Sequence, residues 1–165
     1  MAGPSHFPVL LGEGPVYTDG AAGDVGTGIA VTTGGFWQRT PSDDVAVMAE
    51  VPWPLRPSSG AGEFLGLALA AQCSTSTSGW KGEIVTDSQA VFSRISRKAF
   101  SPLRDFMWAG CFRGWHRSGF WKALSPTKIR SHMSIGQARQ LGVVDSWFGN
   151  ASARRAASPP GCLER

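Results

Sequence analysis

Three carboxylates stand out by where they fall. Asp19 follows the short β-type run Val16–Thr18, Glu63 opens an otherwise apolar helical stretch, and Asp87 follows a second β-type run, Gly82–Thr86. Glu63 is the most telling of the three. The stretch Glu63–Gln72 carries Phe64, Leu65, Leu67, Ala68, Leu69, Ala70 and Ala71, so it is apolar almost all round and reads as a buried helix. A carboxylate left unpaired there costs roughly several kcal/mol. An arginine, the backbone N–H groups of the helix start, or a cation must therefore compensate it. For Glu63 alone, a place at the positive helix end would suffice. Two further acids at strand ends change the balance, because three converging carboxylates repel one another unless metal ions lie between them. Their hard oxygens suit Mg²⁺ or Mn²⁺ rather than zinc.

The elements that must position these acids follow from pattern and punctuation. Residues 16–18 form a strand that ends at Asp19-Gly20. After a run of glycines a second strand lies in Gly28–Thr33, and Val45–Val51 alternates apolar residues as a third, closed by Pro52 and Pro54. Gly26 and Gly28 mimic a phosphate loop, but no Lys-Ser/Thr pair or helical segment follows, so a hairpin is the better reading. Ser58 or Ser59 is available to cap the helix at Glu63–Gln72, and Gly82–Thr86 is a fourth strand. Ser88–Lys98 then reads as an amphipathic helix, with Val91, Phe92 and Ile95 inward and Arg94, Arg97 and Lys98 outward. Leu103–Ala123 is both aromatic and basic, Thr127–Arg130 is a fifth strand, and Trp147–Ala157 is a last helix after a polar link. Three strands, a helix, a strand, helices, a strand and a helix make a mixed sheet flanked by helices. Acids at strand ends are where sites gather in such sheets.

Charge divides along the chain. Over residues 1–90 there are nine acids and three bases, a balance of −6; over 91–165 there are thirteen bases and three acids, a balance of +10, which together give the net +4. That asymmetry suggests a nucleic-acid partner, although bases that merely solvate helix faces would look the same. The length of 165 residues suits one domain, with a flexible lead-in at 1–13, a domain at 14–157 and a tail at 158–165. No apolar stretch is long enough to span a bilayer and no secretory signal is visible, so an intracellular, membrane-free protein, nuclear or cytoplasmic, is expected. Cys73, Cys111 and Cys162 have no short-spaced pair, so neither a disulfide framework nor a zinc knuckle is indicated.

Four motifs in order carry a family resemblance: Tyr17-Thr-Asp19-Gly20, Gly60-Ala-Gly-Glu63-Phe-Leu-Gly-Leu-Ala-Leu-Ala, Thr86-Asp87-Ser88-Gln89-Ala-Val and Lys128-Ile-Arg-Ser-His132. Together they resemble ribonuclease H of type 1, the class that includes the RNase H domains of retroelements. The resemblance implies an α/β, RNase H-like fold, a five-stranded mixed sheet with its first three strands antiparallel. It implies a hydrolase that cuts the RNA strand of RNA–DNA hybrids endonucleolytically with two divalent ions, Mg²⁺ or Mn²⁺. Asp19 matches the aspartate that bridges both metals, Glu63 and Asp87 match two further metal-binding carboxylates, and His132 matches a mobile histidine that assists proton transfer or product release. Gly20 and Gln89 match nucleic-acid contacts, Gln89 near the 2′-hydroxyls that distinguish RNA from DNA. Arg94 is expected to contact nucleic acid, and Arg104, Arg113, Arg117 and Lys122, interleaved with Trp108, Trp115 and Trp121, are expected to line the hybrid while the tryptophan faces turn inward.

One position departs from the pattern. The family's last helix carries Asn-x-x-Ala-Asp, and here Asn150-Ala-Ser-Ala153-Arg154 puts arginine at the acidic place. An arginine beside divalent ions is repelled by roughly several kcal/mol, which points to attenuated hydrolysis. Asp145 or Asn150 is a candidate to compensate. The alternative is a catalytically degenerate RNase H-like module, such as a retroelement fragment, that binds nucleic acid or a protein partner. The expected assembly is a monomer, with any reverse transcriptase domain on another segment or chain.

Overall fold

The computed structural model describes residues 12–24, 30–41, 44–50, 59–74, 79–97, 109–130 and 132–157, with the side chains of 22–24, 30–31, 59–61 and 109–111 left aside. Five strands, β1 (Val16–Asp24), β2 (Ala30–Arg39), β3 (Asp44–Glu50), β4 (Glu83–Thr86) and β5 (Ser125–Lys128), form one sheet in the order β3-β2-β1-β4-β5. The first three are antiparallel, and β4 runs parallel to both β1 and β5. The expected sheet is thus the observed one.

Two helical layers cover it. On one face α1 (Ser59–Cys73) buries Leu65, Leu67 and Leu69 against Val16 and Phe36, joined by Val91 and Ile95 of α2 (Gln89–Ser96) and by Phe112 and Trp115 of α3 (Ala109–Ser118). On the other face α5 (Val144–Ala157) sets Ala153 against Tyr17, Trp37 and Val85. Strand side chains alternate between faces, so Val16 and Thr18 look toward α1, while Tyr17 and Asp19 look toward α5. A short helix α4 (Ile135–Leu141) precedes α5, and a 3₁₀ turn, Phe120–Ala123, leads into β5.

Close backbone packing sets where α1 lies. A Cβ on Gly20 would collide with the backbone of Gly62 and Glu63, and one on Gly34 would collide with the Gly62 carbonyl. Glycine at these positions lets the helix sit directly on β1 and β2, which carries the Glu63 backbone against the strand at Gly20.

Several boundaries differ from the sequence expectation. The first strand does not end at Asp19-Gly20: it continues to Asp24, because β2 pairs with it from Tyr17↔Trp37 to Asp24↔Ala30. Only its pairing with β4 stops at Thr18↔Thr86. Helix α1 starts at Ser59, four residues before Glu63. The last helix starts at Val144 rather than Trp147, and the polar link before it holds α4, which opens on a reciprocal cap between Ser134 and Gln137. The fifth strand lies two residues earlier than expected. Gly12, placed in the flexible lead-in, is tied down: its N–H donates to Gln38 Oε1 at 2.8 Å, and its carbonyl accepts from Gln38 Nε2 at 3.0 Å. Arg104, Trp108 and Cys162 lie outside the described residues.

Candidate active site

The site forms where β1 outruns β4. Pairing between the two stops at Thr18↔Thr86, so Asp19 and Asp87 are the next residues along parallel strands and flank the gap that opens there. Asp19 points toward α5 and is buried, with 6% of its surface exposed. Its Oδ1 accepts the Gly20 N–H at 2.8 Å. Burial, reinforced by the negative charge of Asp87, pushes the Asp19 carboxyl up from 3.8 to about 7, against the lowering effects of the Gly20 N–H and of Arg154. Glu63 adds a smaller raising effect from the α1 side. The three acids therefore do interact, and Asp19 bears the cost.

Glu63 is not at the helix end. It is the fifth residue of α1, and the first turn holds no acid, so the positive helix terminus does not account for it. Its partner is Ser88, whose Oγ donates to Glu63 Oε2 at 2.7 Å. The same hydroxyl caps α2 by accepting the Val91 N–H at 3.2 Å. The residue after Asp87 thus ties the α1 carboxylate to the start of α2. Ser88 belongs to the Asp87-Ser88-Gln89 motif, but its hydroxyl serving two helices was not legible from spacing.

The last helix brings two polar residues to the same place. Asn150 is buried, donates from Nδ2 to Asp87 Oδ2 at 3.5 Å, and leaves its Oδ1 without a partner. One turn on, Arg154 sets Nε 3.7 Å from Asp19 Oδ2 and Nη2 3.7 Å from Asp87 Oδ2. A single guanidinium therefore spans two acids whose side chains are 7% and 10% exposed, while its own is 43% exposed. Asp145 does not replace the missing acid. It lies at the other end of α5, where its carbonyl faces the Tyr17 hydroxyl at 3.5 Å and it lines a depression with Gly14, Trp37, Arg39 and Phe148.

The oxygen donors here are of the kind that hold Mg²⁺ or Mn²⁺, but their arrangement does not fit two such ions. Glu63 is turned to Ser88, Arg154 stands between Asp19 and Asp87, and no three acid, His or Cys side chains among the described residues form a metal-holding group.

The remaining expected residues surround this centre at different removes. Gly20 adjoins Asp19, and Gln89 opens α2 beside Asp87 but is exposed and bonds Ser93. Arg94, half-buried, places its guanidinium 5.5 Å from the Phe64 ring centre, next to Glu63. His132 is exposed on the turn after β5, with a φ of 58°. Arg113, Arg117 and Lys122 are exposed on α3 and the 3₁₀ turn, while Trp115 turns inward and is buried and the half-buried Trp121 stacks on the exposed His116. Cys73 is buried, and burial pushes its thiol up to about 11, which leaves it inert as a nucleophile.

No protein-family profile and no curated protein matches this sequence. Solved structures do. The chain is similar to the prototype foamy virus protease-reverse transcriptase, with a TM-score of 0.52 and 12% identity over 89% of this chain, and it spans 21% of that protein's length. It also aligns with the PFV RNase H domain (TM-score 0.46, 17% identity, 89% of this chain and 93% of that one). A third alignment is with the N-terminal RNase H domain of a Mycobacterium tuberculosis protein solved as a maltose-binding-protein fusion (TM-score 0.40, 14% identity, 87% and 99%). With a β3-β2-β1-β4-β5 sheet, antiparallel in its first three strands and covered by helices on both faces, the chain has a ribonuclease H-like fold.

Proposed function

We propose that the chain is a ribonuclease H-type module whose substrate class is the RNA–DNA hybrid, with hydrolysis of the RNA strand attenuated by Arg154. Asp19 and Asp87, which follow the last β1–β4 pair, and Glu63, bonded to the residue after Asp87, carry this reading. Were Arg154 withdrawn, Asp19, Glu63 and Asp87 would hold the Mg²⁺ or Mn²⁺ ions that such a module uses, and these would supply activation of a water for attack on the scissile phosphate. The chain's own part is to hold the hybrid over the centre. Gln89 and Arg94 lie on α2, which starts just after Asp87, with Arg94 over the Phe64 ring, and the outward bases Arg113, Arg117 and Lys122 would meet the backbone phosphates. His132, exposed on its turn, would assist proton transfer or product release. A reverse transcriptase on another segment or chain is the proposed companion.

The test is cleavage of a labelled hybrid by folded protein with Mg²⁺ and with Mn²⁺. Weak cleavage that Asp19→Asn abolishes is expected. Cleavage that survives Asp19→Asn would reject this centre.

A second reading, a non-catalytic hybrid-binding module, draws on the same Arg154 contacts. Hybrid binding with no cleavage by either the wild type or Arg154→Asp would favour it.

A further inference from the structure

We propose that Arg154 is a tethered counter-cation, occupying the carboxylate centre and keeping divalent ions out of it. The inference rests on reading Asp19, Glu63 and Asp87 as the functional centre, and it adds how that centre is regulated. Surface ion pairs are often worth little, but this one is anchored on acids that are nearly buried, at 7% and 10% side-chain exposure. The two contacts come from different nitrogens of one planar group, so Arg154 bridges Asp19 and Asp87 as an ion between them would. Helix α5 fixes the approach: Ala153 and Ala157 are fully buried, and Asn150, one turn earlier on the same side, reaches Asp87. The buried Asn150 Oδ1, with no partner, is a further oxygen beside Asp87 that a cation would satisfy and a neighbouring acid does not. At 43% exposure, the Arg154 side chain enters from the solvent side. The lock can therefore open without unfolding the helix.

Replacing a tethered positive charge with an acid changes the local charge by two units at contact distance. In surroundings of intermediate polarity, that is enough for roughly 100-fold or more in divalent-ion affinity. The probe is Mn²⁺ alone, titrated into the full chain, with free Mn²⁺ read by electron paramagnetic resonance and the accompanying rise in Tm recorded. Arg154→Asp should bind Mn²⁺ roughly 100-fold or more tighter than wild type, Arg154→Gln should fall between, and Arg154→Lys should bind as weakly as wild type. Adding Asp87→Asn to Arg154→Asp should remove the gain, which locates the ion at this centre. Wild type binding Mn²⁺ as tightly as Arg154→Gln would overturn the proposal, as would a folded Arg154→Asp that gains nothing. Should Arg154→Asp fail to fold, the comparison of Arg154→Gln with Arg154→Lys decides by the same readout. The two readings fail separately. Mn²⁺ binding gained without hybrid cleavage keeps the lock and removes the hydrolase. Cleavage by a wild type that already binds Mn²⁺ tightly does the reverse.

Discussion

Asp19→Asn should make the protein more stable at alkaline pH, although it removes the proposed central acid. Asp19 is buried beside Asp87, and its carboxyl titrates at about 7 in the folded chain against 3.8 for a solvated aspartate. Between those values the unfolded chain has already lost the proton that the folded chain still holds. Folding stability therefore falls as pH rises from about 4 to 7 and is flat above. A shift of about three units corresponds to ~4 kcal/mol, the cost of keeping Asp19 ionised in the fold at pH 8. Asparagine mimics the protonated acid, and its Oδ1 still accepts the Gly20 N–H. The variant should thus exceed wild type by about 2–4 kcal/mol at pH 8, with the difference shrinking toward pH 5. Urea unfolding of both proteins at pH 5, 6, 7 and 8, in chelator, measures this directly, since other titrating groups are common to both. A difference independent of pH, or a variant less stable than wild type at pH 8, would refute the reasoning.

Other consequences follow from packing and charge. Gly34→Ala, which drives a methyl group into the Gly62 carbonyl, should cost about 3 kcal/mol in urea unfolding. Ser88→Ala removes both the α2 cap and the donor to Glu63, so a loss of about 2–3 kcal/mol is expected. That loss should be smaller in a Glu63→Gln background, because the two sites share one bond. Replacing Arg113, Arg117 and Lys122 by alanine should lower the salt dependence of hybrid binding by roughly 2–3 units of slope, read from Kd across a potassium chloride series. An unchanged slope would place the phosphates elsewhere.

Much of the fold was legible because it rests on short-range pattern. The alternation of Val45–Val51, the apolar run after Glu63 and the strand before Asp87 each mark their element, and sheet order follows from the ribonuclease H resemblance. Tertiary contacts decided the rest. Asp19-Gly20 reads as a strand end, yet eight residue pairs with β2 carry the strand through it. In sequence alone Pro57–Gly62 reads as a turn, because proline and glycine disfavour helix. In the fold Gly62 lets α1 lie close on the Thr33 carbonyl of the sheet, and the helix starts at Ser59, which moves Glu63 off the terminus. The capping pair Ser134 and Gln137 was a local signal for α4 within reach of the sequence. Among the site residues, Asp19, Glu63 and Asp87 could be named from position and motif. The direction of the Arg154 side chain could not, since it depends on how α5 crosses β1 and the end of β4.

On the proposed reading, a ribonuclease H-type centre is held back by one arginine. Cleavage of the RNA strand of a hybrid in Mg²⁺, compared between wild type and Arg154→Asp, tests it most directly. A gain of roughly 100-fold or more in the variant, abolished by adding Asp19→Asn, is the predicted result. Equal rates for folded wild type and variant, or silence in both, would contradict it.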